Sequence, residues 1–151
     1  KTPALTVTDR TGKTLKEGTD YTVTWPSGRK VVGTYTVKVT FKMFYEGEKN
    51  LTFTIVPKLR NPKNIAPLTK GFRIAWTRMS TVTGYQIQYS TSADFKSKVT
   101  RTIAKNTTTS LKVTKLRASR KYYVRMRTYK VVNGKKLYSG WSKVLTVKTK
   151  R

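Results

Sequence analysis

Residues 121–148, KYYVRMRTYKVVNGKKLYSGWSKVLTVK, alternate apolar with polar or charged residues, and this alternation decides how the chain folds. Tyr122, Val124 and Met126 recur at every second position, which is the pattern of a β-strand with one buried face. Asn133-Gly134 favours the tight turn of a β-hairpin, and the alternation resumes in VLTVKT. The stretch therefore predicts two neighbouring antiparallel strands.

The same alternation recurs along the whole chain, in DYTVTW, GTYTVKVTF, LTFTIV, FRIAW, YQIQYS and SLKV. No segment carries the apolar stripe of an amphipathic helix. Short alternating strands separated by glycine-containing turns are typical of β-sandwiches, so we predict an all-β fold. The residues expected to face the core of the C-terminal part are Phe72, Ile74, Trp76, Tyr85, Ile87, Tyr89, Leu111, Val113, Leu116, Tyr122, Val124 and Met126.

The segment VPKLRNPKNIAP, residues 56–67, interrupts this pattern with three prolines, which favour a stiff, extended linker. We place a domain boundary near Pro57. The prediction is a first domain over 1–57, a linker over 58–62 and a second domain over 63–151. The first domain is short for a complete immunoglobulin-like sandwich, so a missing strand is expected upstream of Lys1, in a longer array of domains.

The chain is strongly basic, with a net charge of +27 from 33 Lys and Arg against 6 Asp and Glu. Residues 58–151 hold 24 of the basic side chains and a single acid, Asp94. A surface of one sign attracts polyanions and repels other copies of itself. An anionic polymer is therefore the expected partner, and the protein is expected to be monomeric within a longer chain.

Several function classes are excluded by the residue types that the chain lacks. It has no cysteine and no histidine, which excludes thiol and imidazole chemistry, disulfides and the usual zinc ligands. No run of about 18 apolar residues occurs, so no membrane span is predicted. No glycine-rich phosphate motif is present, and no cofactor is predicted.

The carboxylates do not suit acid chemistry or metal binding. The second domain has only Asp94, so it lacks the paired acids of a glycoside hydrolase and the converging oxygens of a calcium site. A Lys–Asn cross-link assisted by Glu46 or Glu48 at Asn50 is disfavoured because these residues cluster in one hairpin. We therefore predict a non-enzymatic protein without a metal. The acids of the first domain, all in or beside predicted turns, are Asp9, Glu17, Asp20, Glu46 and Glu48.

Three aromatic positions mark the second domain. Trp76 lies in its second strand, Tyr85 opens the third, and Tyr122 follows Leu116 by six residues at the corner before the sixth. Over nearly its whole length the domain resembles a fibronectin type III module, most closely those in secreted proteins of Gram-positive gut bacteria. The resemblance implies structural roles for Trp76 and Tyr122, whose counterpart hydrogen-bonds back to the preceding backbone. Ala118-Ser119 stands where the family often has Pro-Gly.

GTDYTV and GTYTVKV are the corresponding marks of the first domain. They resemble strand openings in small Ig-like repeats that are strung along surface proteins of the same bacteria. The two resemblances together imply tandem immunoglobulin-like β-sandwiches, an Ig-like repeat followed by a fibronectin type III domain. They also imply an extracellular or bacterial cell-surface location.

Residues 138–142, YSGWS, differ by one aromatic residue from the Trp-Ser-any-Trp-Ser signature of cytokine receptors. In that family the tryptophans interleave with outward arginines of the neighbouring strand, and Arg125 and Arg127 supply such arginines here. The resemblance implies that Trp141 stacks on or between them as a structural residue. Leu145 and Val147 must face the core, so an outward Trp141 requires a bulge near Ser142–Val144.

The basic side chains of the second domain form two groups at opposite ends of the predicted sandwich, with arginines between them on one sheet face. Such a charged coat suits loose binding to a long polyanion, such as teichoic acid or an acidic glycan. A solvated basic surface without a dedicated partner is an equally weighted alternative. Nucleic acid is less favoured, because only Tyr123, Tyr129 and Trp141 are expected outside as stacking platforms. The first group is Lys115, Arg117, Arg120 and Lys121, the second is Lys130, Lys135 and Lys136, and between them lie Arg101, Arg125 and Arg127.

These patterns favour a structural function. We expect spacer modules of a bacterial surface or secreted protein, in which the basic second domain associates with anionic polymers. One alternative is an adhesin that binds a host protein or glycan through the RMSTVTG and VVNGKK loops, which are expected at the same end of the domain. Another is an accessory module that brings an attached enzyme to an acidic substrate.

Overall fold

A computed structural model describes residues 3–151, and their regular secondary structure consists of β-strands without helices, which confirms the all-β prediction. The chain divides into two compact units, Lys1–Ile55 and Val56–Arg151, called unit 1 and unit 2 below. The division lies beside the boundary expected near Pro57. That each unit is an autonomous domain stays a prediction.

Unit 1 contains three antiparallel strands, β1 (Tyr21–Thr24), β2 (Gly33–Phe41) and β3 (Glu48–Ile55), with β2 in the centre. The register places Val39 opposite Val23, and Val37 opposite Leu51. Opposite residues lie on one face of a sheet, so the alternating sequence gathers the apolar side chains on one side and the threonines on the other.

The segment before β1 covers part of this apolar face. Leu15, Tyr21 and Val39 are buried together, with Leu5 and Val7 packed against them. Among residues 3–55 we find one sheet and this covering segment, instead of the two facing sheets expected of an Ig-like sandwich.

A turn at Asp9 interrupts the covering segment. The Asp9 carboxylate accepts hydrogen bonds from the backbone N–H groups of Thr11 and Lys13. Side-chain bonds of this kind offer the backbone an alternative to strand pairing. Only an isolated bridge between Thr8 and Thr14 remains on either side of that turn.

Unit 2 contains eight strands in two sheets. The first sheet consists of β4 (Asn64–Leu68), β5 (Gly71–Ala75) and β8 (Ser110–Val113). The second has the order β10-β9-β6-β7, and β11 also pairs with β9. Its strands are β6 (Gly84–Ser90), β7 (Val99–Ile103), β9 (Lys121–Val132), β10 (Lys135–Tyr138) and β11 (Leu145–Lys148).

The core of unit 2 lies between these two sheets. Phe72, Ile74, Tyr85, Ile87, Val124 and Met126 are completely buried, as the alternation predicted. Trp76, Tyr89, Val113 and Tyr122 are also buried in this core, whereas Leu111 and Leu116 are half-buried at its edge. The inward faces of β5, β6 and β9 were thus readable from the sequence.

The corner before β9 is held by Tyr122. Its hydroxyl accepts a hydrogen bond from the backbone N–H of Arg117 at 3.3 Å, the kind of bond that the family resemblance implied. Lys115 and Ser119 have positive φ angles of 61° and 49°, so two non-glycine residues adopt the left-handed conformation in this loop. The corner is therefore built without the family's Pro-Gly.

Replacing Tyr122 with Phe should lower the free energy of unfolding of unit 2 by about 0.5–1.5 kcal/mol, because the corner loses a hydrogen bond but no apolar packing. Urea denaturation of the whole chain measures the change. Tyr123→Phe is the matched control, since no hydrogen bond of its hydroxyl is found within residues 3–151. Equal stability of the two variants would contradict the role of the corner bond.

Candidate functional site

Two serines in the segment between β10 and β11 complete the backbone hydrogen bonding along the edge of β9. Thr128 N–H donates to Ser139 Oγ, and Ser139 N–H donates to the Thr128 carbonyl, both at 3.0 Å. Met126 and Ser142 repeat this exchange at 3.0 and 2.8 Å. The serine hydroxyls accept the hydrogen bonds that the carbonyls of a neighbouring strand would otherwise accept. Residues 139–144 can therefore depart from regular strand pairing while the N–H groups of Met126 and Thr128 on β9 keep their acceptors. This break is longer than the bulge expected at Ser142–Val144.

The break places Trp141 over the outer face of β9. The guanidinium carbons of Arg125 and Arg127 lie 4.5 and 4.3 Å from the centroid of its ring. Because the two arginines occupy alternate positions on β9 and one ring face has room for one guanidinium, they bracket the indole. This is the arrangement that the sequence predicted for Trp141.

Further rings extend the stack in both directions. Arg125 also lies 4.1 Å from the centroid of Phe95, and Arg127 lies 3.8 Å from that of Tyr138. We call the series Phe95, Arg125, Trp141, Arg127 and Tyr138 the cation–π stack. Tyr138 occupies the place of the first tryptophan of the receptor motif. Phe95 was missed by the sequence reasoning, although an aromatic residue within the polar loop STSADFKSK was a usable signal. The structure shows that this ring is buried.

Two glutamines on β6 hold the arginines in place. Gln88 Oε1 accepts hydrogen bonds from Arg125 Nε at 3.0 Å and Nη2 at 2.8 Å, and Gln86 Oε1 accepts one from Arg127 Nε at 2.9 Å. Their amide nitrogens donate to hydroxyls on β7, from Gln86 to Thr102 and from Gln88 to Thr100. The alternation predicted both glutamines on the outer face, but it gave them no role.

The cation–π stack has no carboxylate partner within residues 3–151. Asp94, the acid of unit 2, accepts hydrogen bonds from Ser92 and from the backbone of Lys96. Desolvation lowers the pKa of Arg127, the Arg125 charge lowers it further, and Tyr138 opposes both effects. The two guanidinium charges are thus held close together by contacts with aromatic rings and glutamine amide oxygens, without a carboxylate from the described residues.

The predicted basic groups lie where β9 begins and where it ends. Lys115, Arg117 and Arg120 are exposed in the loop before β9, and Lys121, also exposed, is the first residue of that strand. Lys130 is half-buried near the end of β9, and Lys135 and Lys136 are exposed on β10 beyond the turn. Asn133 and Gly134 both have positive φ in that turn, as a tight hairpin requires.

The structure adds Lys70 and Lys150 to the first of these groups. Lys70 N–H donates to the Lys150 carbonyl at 3.1 Å, and Leu116 N–H donates to the Lys70 carbonyl at 2.8 Å. These hydrogen bonds join the β4–β5 turn, the loop before β9 and the end of the chain. We call Lys70, Lys115, Arg117, Arg120, Lys121 and Lys150 the basic pole. No local sequence pattern could bring these three segments together.

The placement of Arg101 corrects one prediction. Arg101 was expected on the same sheet face as Arg125 and Arg127, but it pairs with the inward residue Ile87 across β6 and β7. Arg125 and Arg127 pair instead with the outward Gln88 and Gln86. The error arose because β7 was not recognised as a strand, and a shift of one residue reverses the face of a side chain.

One of the three aromatic residues expected on the outside, Tyr129, also differs from the prediction because it is buried. Tyr129 is only 2% exposed and packs over Gly84, where an added Cβ would lie 2.9 Å from its hydroxyl. Trp141 is half-buried with a guanidinium on each side. Tyr123 is half-buried beneath Lys121 Nζ, which lies 5.1 Å from its ring.

The loops considered for adhesion do lie at the same end of unit 2. Val131 N–H donates to Thr83 Oγ1 at 3.0 Å, which joins the end of β9 to the loop before β6. Asn106 Nδ2 donates to the carbonyls of Ser80 and Val82, which adds the β7–β8 loop to this end.

Two of the residues considered for a Lys–Asn cross-link, Glu48 and Asn50, lie beside Lys38 on an exposed part of unit 1. Lys38 forms an ion pair with Glu48 and stands opposite Asn50 in the register of β2 and β3. The side chains of Lys38 and Glu48 are 46% and 50% exposed, whereas the acid that assists such a cross-link must be buried. The arrangement is therefore that of a surface ion pair.

Unit 1 also contains an open groove of about 700 Å³. Its lining includes Pro26, Arg29, Val31, Phe53 and Ile55 and contains no carboxylate. Within residues 3–151 we find no cluster of acids that could hold a metal ion, and no helix long and apolar enough to cross a membrane.

Comparisons with known proteins point to one family. The model of the family described as "Fibronectin type III domain" matches residues 58–148. The search of curated proteins gave no match.

Two solved structures with a similar fold are distant in sequence. The FN1–FN3 domains of chicken CNTN1 share 21% identity at a TM-score of 0.53, over 80% of this chain and 44% of theirs. A β-1,2-glucanase from Parabacteroides distasonis shares 12% identity at a TM-score of 0.50, over 76% of this chain and 17% of the enzyme. The chain thus spans less than half of either protein, and both similarities concern the fold alone.

Replacing Trp141 with Ala should lower the free energy of unfolding of unit 2 by about 1–3 kcal/mol, because both arginines lose a ring. Tyr123→Ala is the control, since Tyr123 faces a single cation on the same strand. Chemical denaturation followed by circular dichroism measures both. A loss at Trp141 no larger than that at Tyr123 would show that the cation–π stack does not stabilise the unit.

Replacing Ser142 with Ala should cost about 1–3 kcal/mol, because the buried N–H of Met126 loses its acceptor. Ser80→Ala is an exposed control and should leave stability unchanged. The same denaturation experiment compares them. Two equally stable variants would show that the hydroxyl is dispensable for the edge of β9.

Proposed function

The chain belongs to the fibronectin type III family over residues 58–148, and from this premise we propose that unit 2 is a non-catalytic module that binds anionic polymers. The binding is electrostatic and uses the basic pole as its main contact. Unit 1, proposed as a bacterial Ig-like repeat, adds a second spacer. The modules belong to a secreted or cell-surface protein of a Gram-positive bacterium.

The observation that carries this proposal is the uncompensated charge of unit 2. Its ion pair within the described residues is Lys96 with Asp94, at 3.6 Å and well exposed. Arg73 stands directly opposite Lys112 on β5 and β8, and like charges in that position destabilise a sheet. A polymer that supplies negative charge would relieve this repulsion at many points.

The basic pole suits a loose association with such a polymer. All six of its residues are exposed, and hydrogen bonds join the backbones of its three segments. Thr149 Oγ1 strengthens the junction, since it donates to the Arg117 carbonyl and accepts from the Arg120 N–H. Exposed cations on a hydrogen-bonded backbone favour a polyanion with repeating charges, such as teichoic acid or an acidic glycan.

A second candidate function is adhesion to a host protein or glycan. The hydrogen bond between Val131 and Thr83 supports it, because it gathers the loops before β6 and after β9 at one end. Loops presented together on a rigid sandwich are a common way to bind a protein partner. This surface lies at the other end of β9 from the basic pole.

The logarithm of the binding constant for lipoteichoic acid should fall linearly with the logarithm of the salt concentration. Replacing the six residues of the basic pole with Gln should reduce the slope by roughly 0.7–0.9 for each cation that no longer binds an anionic group of the polymer. The matched control neutralises six cations at the other end of unit 2, namely Lys63, Arg78, Lys105, Lys130, Lys135 and Lys136. Calorimetric titration at several salt concentrations measures both variants.

The pole is the main contact if its variant loses much more affinity than the control. Equal losses would leave polyanion binding intact but assign it to the whole basic coat. The proposal fails if the unaltered chain does not bind, or if its affinity does not respond to salt. A parallel titration with DNA shows whether nucleic acid binds better, which would reassign the polymer.

A further inference from the structure

The arginines of the cation–π stack leave guanidinium N–H groups unused. A guanidinium has five N–H donors. Arg125 uses Nε and Nη2 on Gln88, and Arg127 uses Nε on Gln86. Within residues 3–151 we find no acceptor for Arg125 Nη1 or for either Nη of Arg127. These atoms are also absent from the fully buried unpaired nitrogens, so solvent reaches them.

We propose that these free guanidinium edges, on the two sides of Trp141, form a binding site for an oxyanion. The ligand is a sulfate, phosphate or carboxylate group carried by an acidic polymer. The inference deepens the proposed function and rests on it, because it names a specific contact for a polymer that otherwise binds loosely. The proposed contact lies on the outer sheet face of unit 2, between the basic residues at the start of β9 and those at its end.

The charge at the cation–π stack favours such a ligand. Two guanidinium groups share one indole ring, and Lys136 Nζ lies 5.4 Å from the ring of Tyr129, which itself packs against Tyr138. The acid Asp94 is engaged by Ser92 and Lys96. An incoming anion would therefore meet an uncompensated positive field, and desolvation already lowers the pKa of Arg127.

The rigidity of the arginines supports a specific contact. Each guanidinium is stacked between two rings and fixed in its plane by a glutamine oxygen. A group that is already ordered loses less entropy on binding, and the fork of arginine matches the geometry of an oxyanion. The lysines of the basic pole have neither advantage.

The rings themselves are not available to a sugar. Trp141 has a guanidinium on each side, and Phe95 is buried. The ring of Tyr138 contacts Arg127 and packs against Tyr129. Recognition at the cation–π stack therefore concerns the charged substituent of a polymer and not the face of its sugar ring. This separates the site from the aromatic platforms on which nucleic acid bases stack.

The test observes the arginine Nε–Hε signals of the whole, ¹⁵N-labelled chain by NMR. Sodium sulfate, phosphate or acetate replaces chloride at constant ionic strength. We expect saturating shifts at Arg125 and Arg127, with dissociation constants on the order of 1–10 mM. Arg117 and Arg120 should show only the weak, non-saturating shifts of solvated cations.

Charge-preserving variants then test the binding of polymers. Arg125→Lys with Arg127→Lys removes the forks but keeps the charge. Arg78→Lys with Arg101→Lys is the matched control, since both arginines are exposed and lie outside the basic pole and the cation–π stack. We expect the first pair to weaken polymer binding about tenfold, as the loss of one charge-assisted bond would, and the second pair less than about twofold. Dextran sulfate, polyphosphate and polygalacturonate distinguish the three oxyanions.

Each outcome decides between the two proposals. Uniform, non-saturating shifts at all arginines, or equal losses in both pairs of variants, overturn the oxyanion site and leave electrostatic binding in place. No polymer binding by the unaltered chain overturns the proposed function as well. The NMR titration uses the unaltered chain, so it stays decisive even where the Arg125 and Arg127 variants fail to fold.

Discussion

The hydroxyl groups of Ser139 and Ser142 complete the hydrogen bonding of β9 where regular pairing stops, and the outer face of unit 2 depends on them. A last strand that paired without interruption would alternate its side chains strictly between the two faces of the sheet. The break lets residues 139–144 depart from that rule and places Trp141 over β9. The small polar side chains of Ser139 and Ser142 thereby make room for the large side chain of Trp141 on the outer face.

The stack that results lets two like charges share a small area. Rings on both sides of each guanidinium supply cation–π attraction, and the oxygens of Gln86 and Gln88 supply hydrogen bonds in its plane. Carboxylates would be the usual partners, but unit 2 has one acid in a loop. The cation–π stack thus orders its arginines without neutralising them, which is a condition for binding an external anion.

Sequence reasoning succeeded where the cause was local. Alternation predicted the inward faces of β5, β6 and β9, and Asn133-Gly134 predicted the hairpin, since each signal lies within a few residues. It failed at Arg101, whose face depends on the pairing of β7 with β6, and at Tyr129, whose burial depends on Gly84 across the sheet. It also missed the share of Lys70 and Lys150 in the basic pole, because three distant segments meet there.

Under the two proposals, the cations of the basic pole and those of the cation–π stack bind a polymer in different ways. Cations of the pole sit on long side chains, so each bond to a polymer must overcome their motional freedom and is screened by salt. Arginines of the stack have already lost that freedom to the rings and glutamines around them. Long polyanions would therefore be attracted by the number of cations in unit 2, whereas the kind of charged group on the polymer would matter only at the cation–π stack.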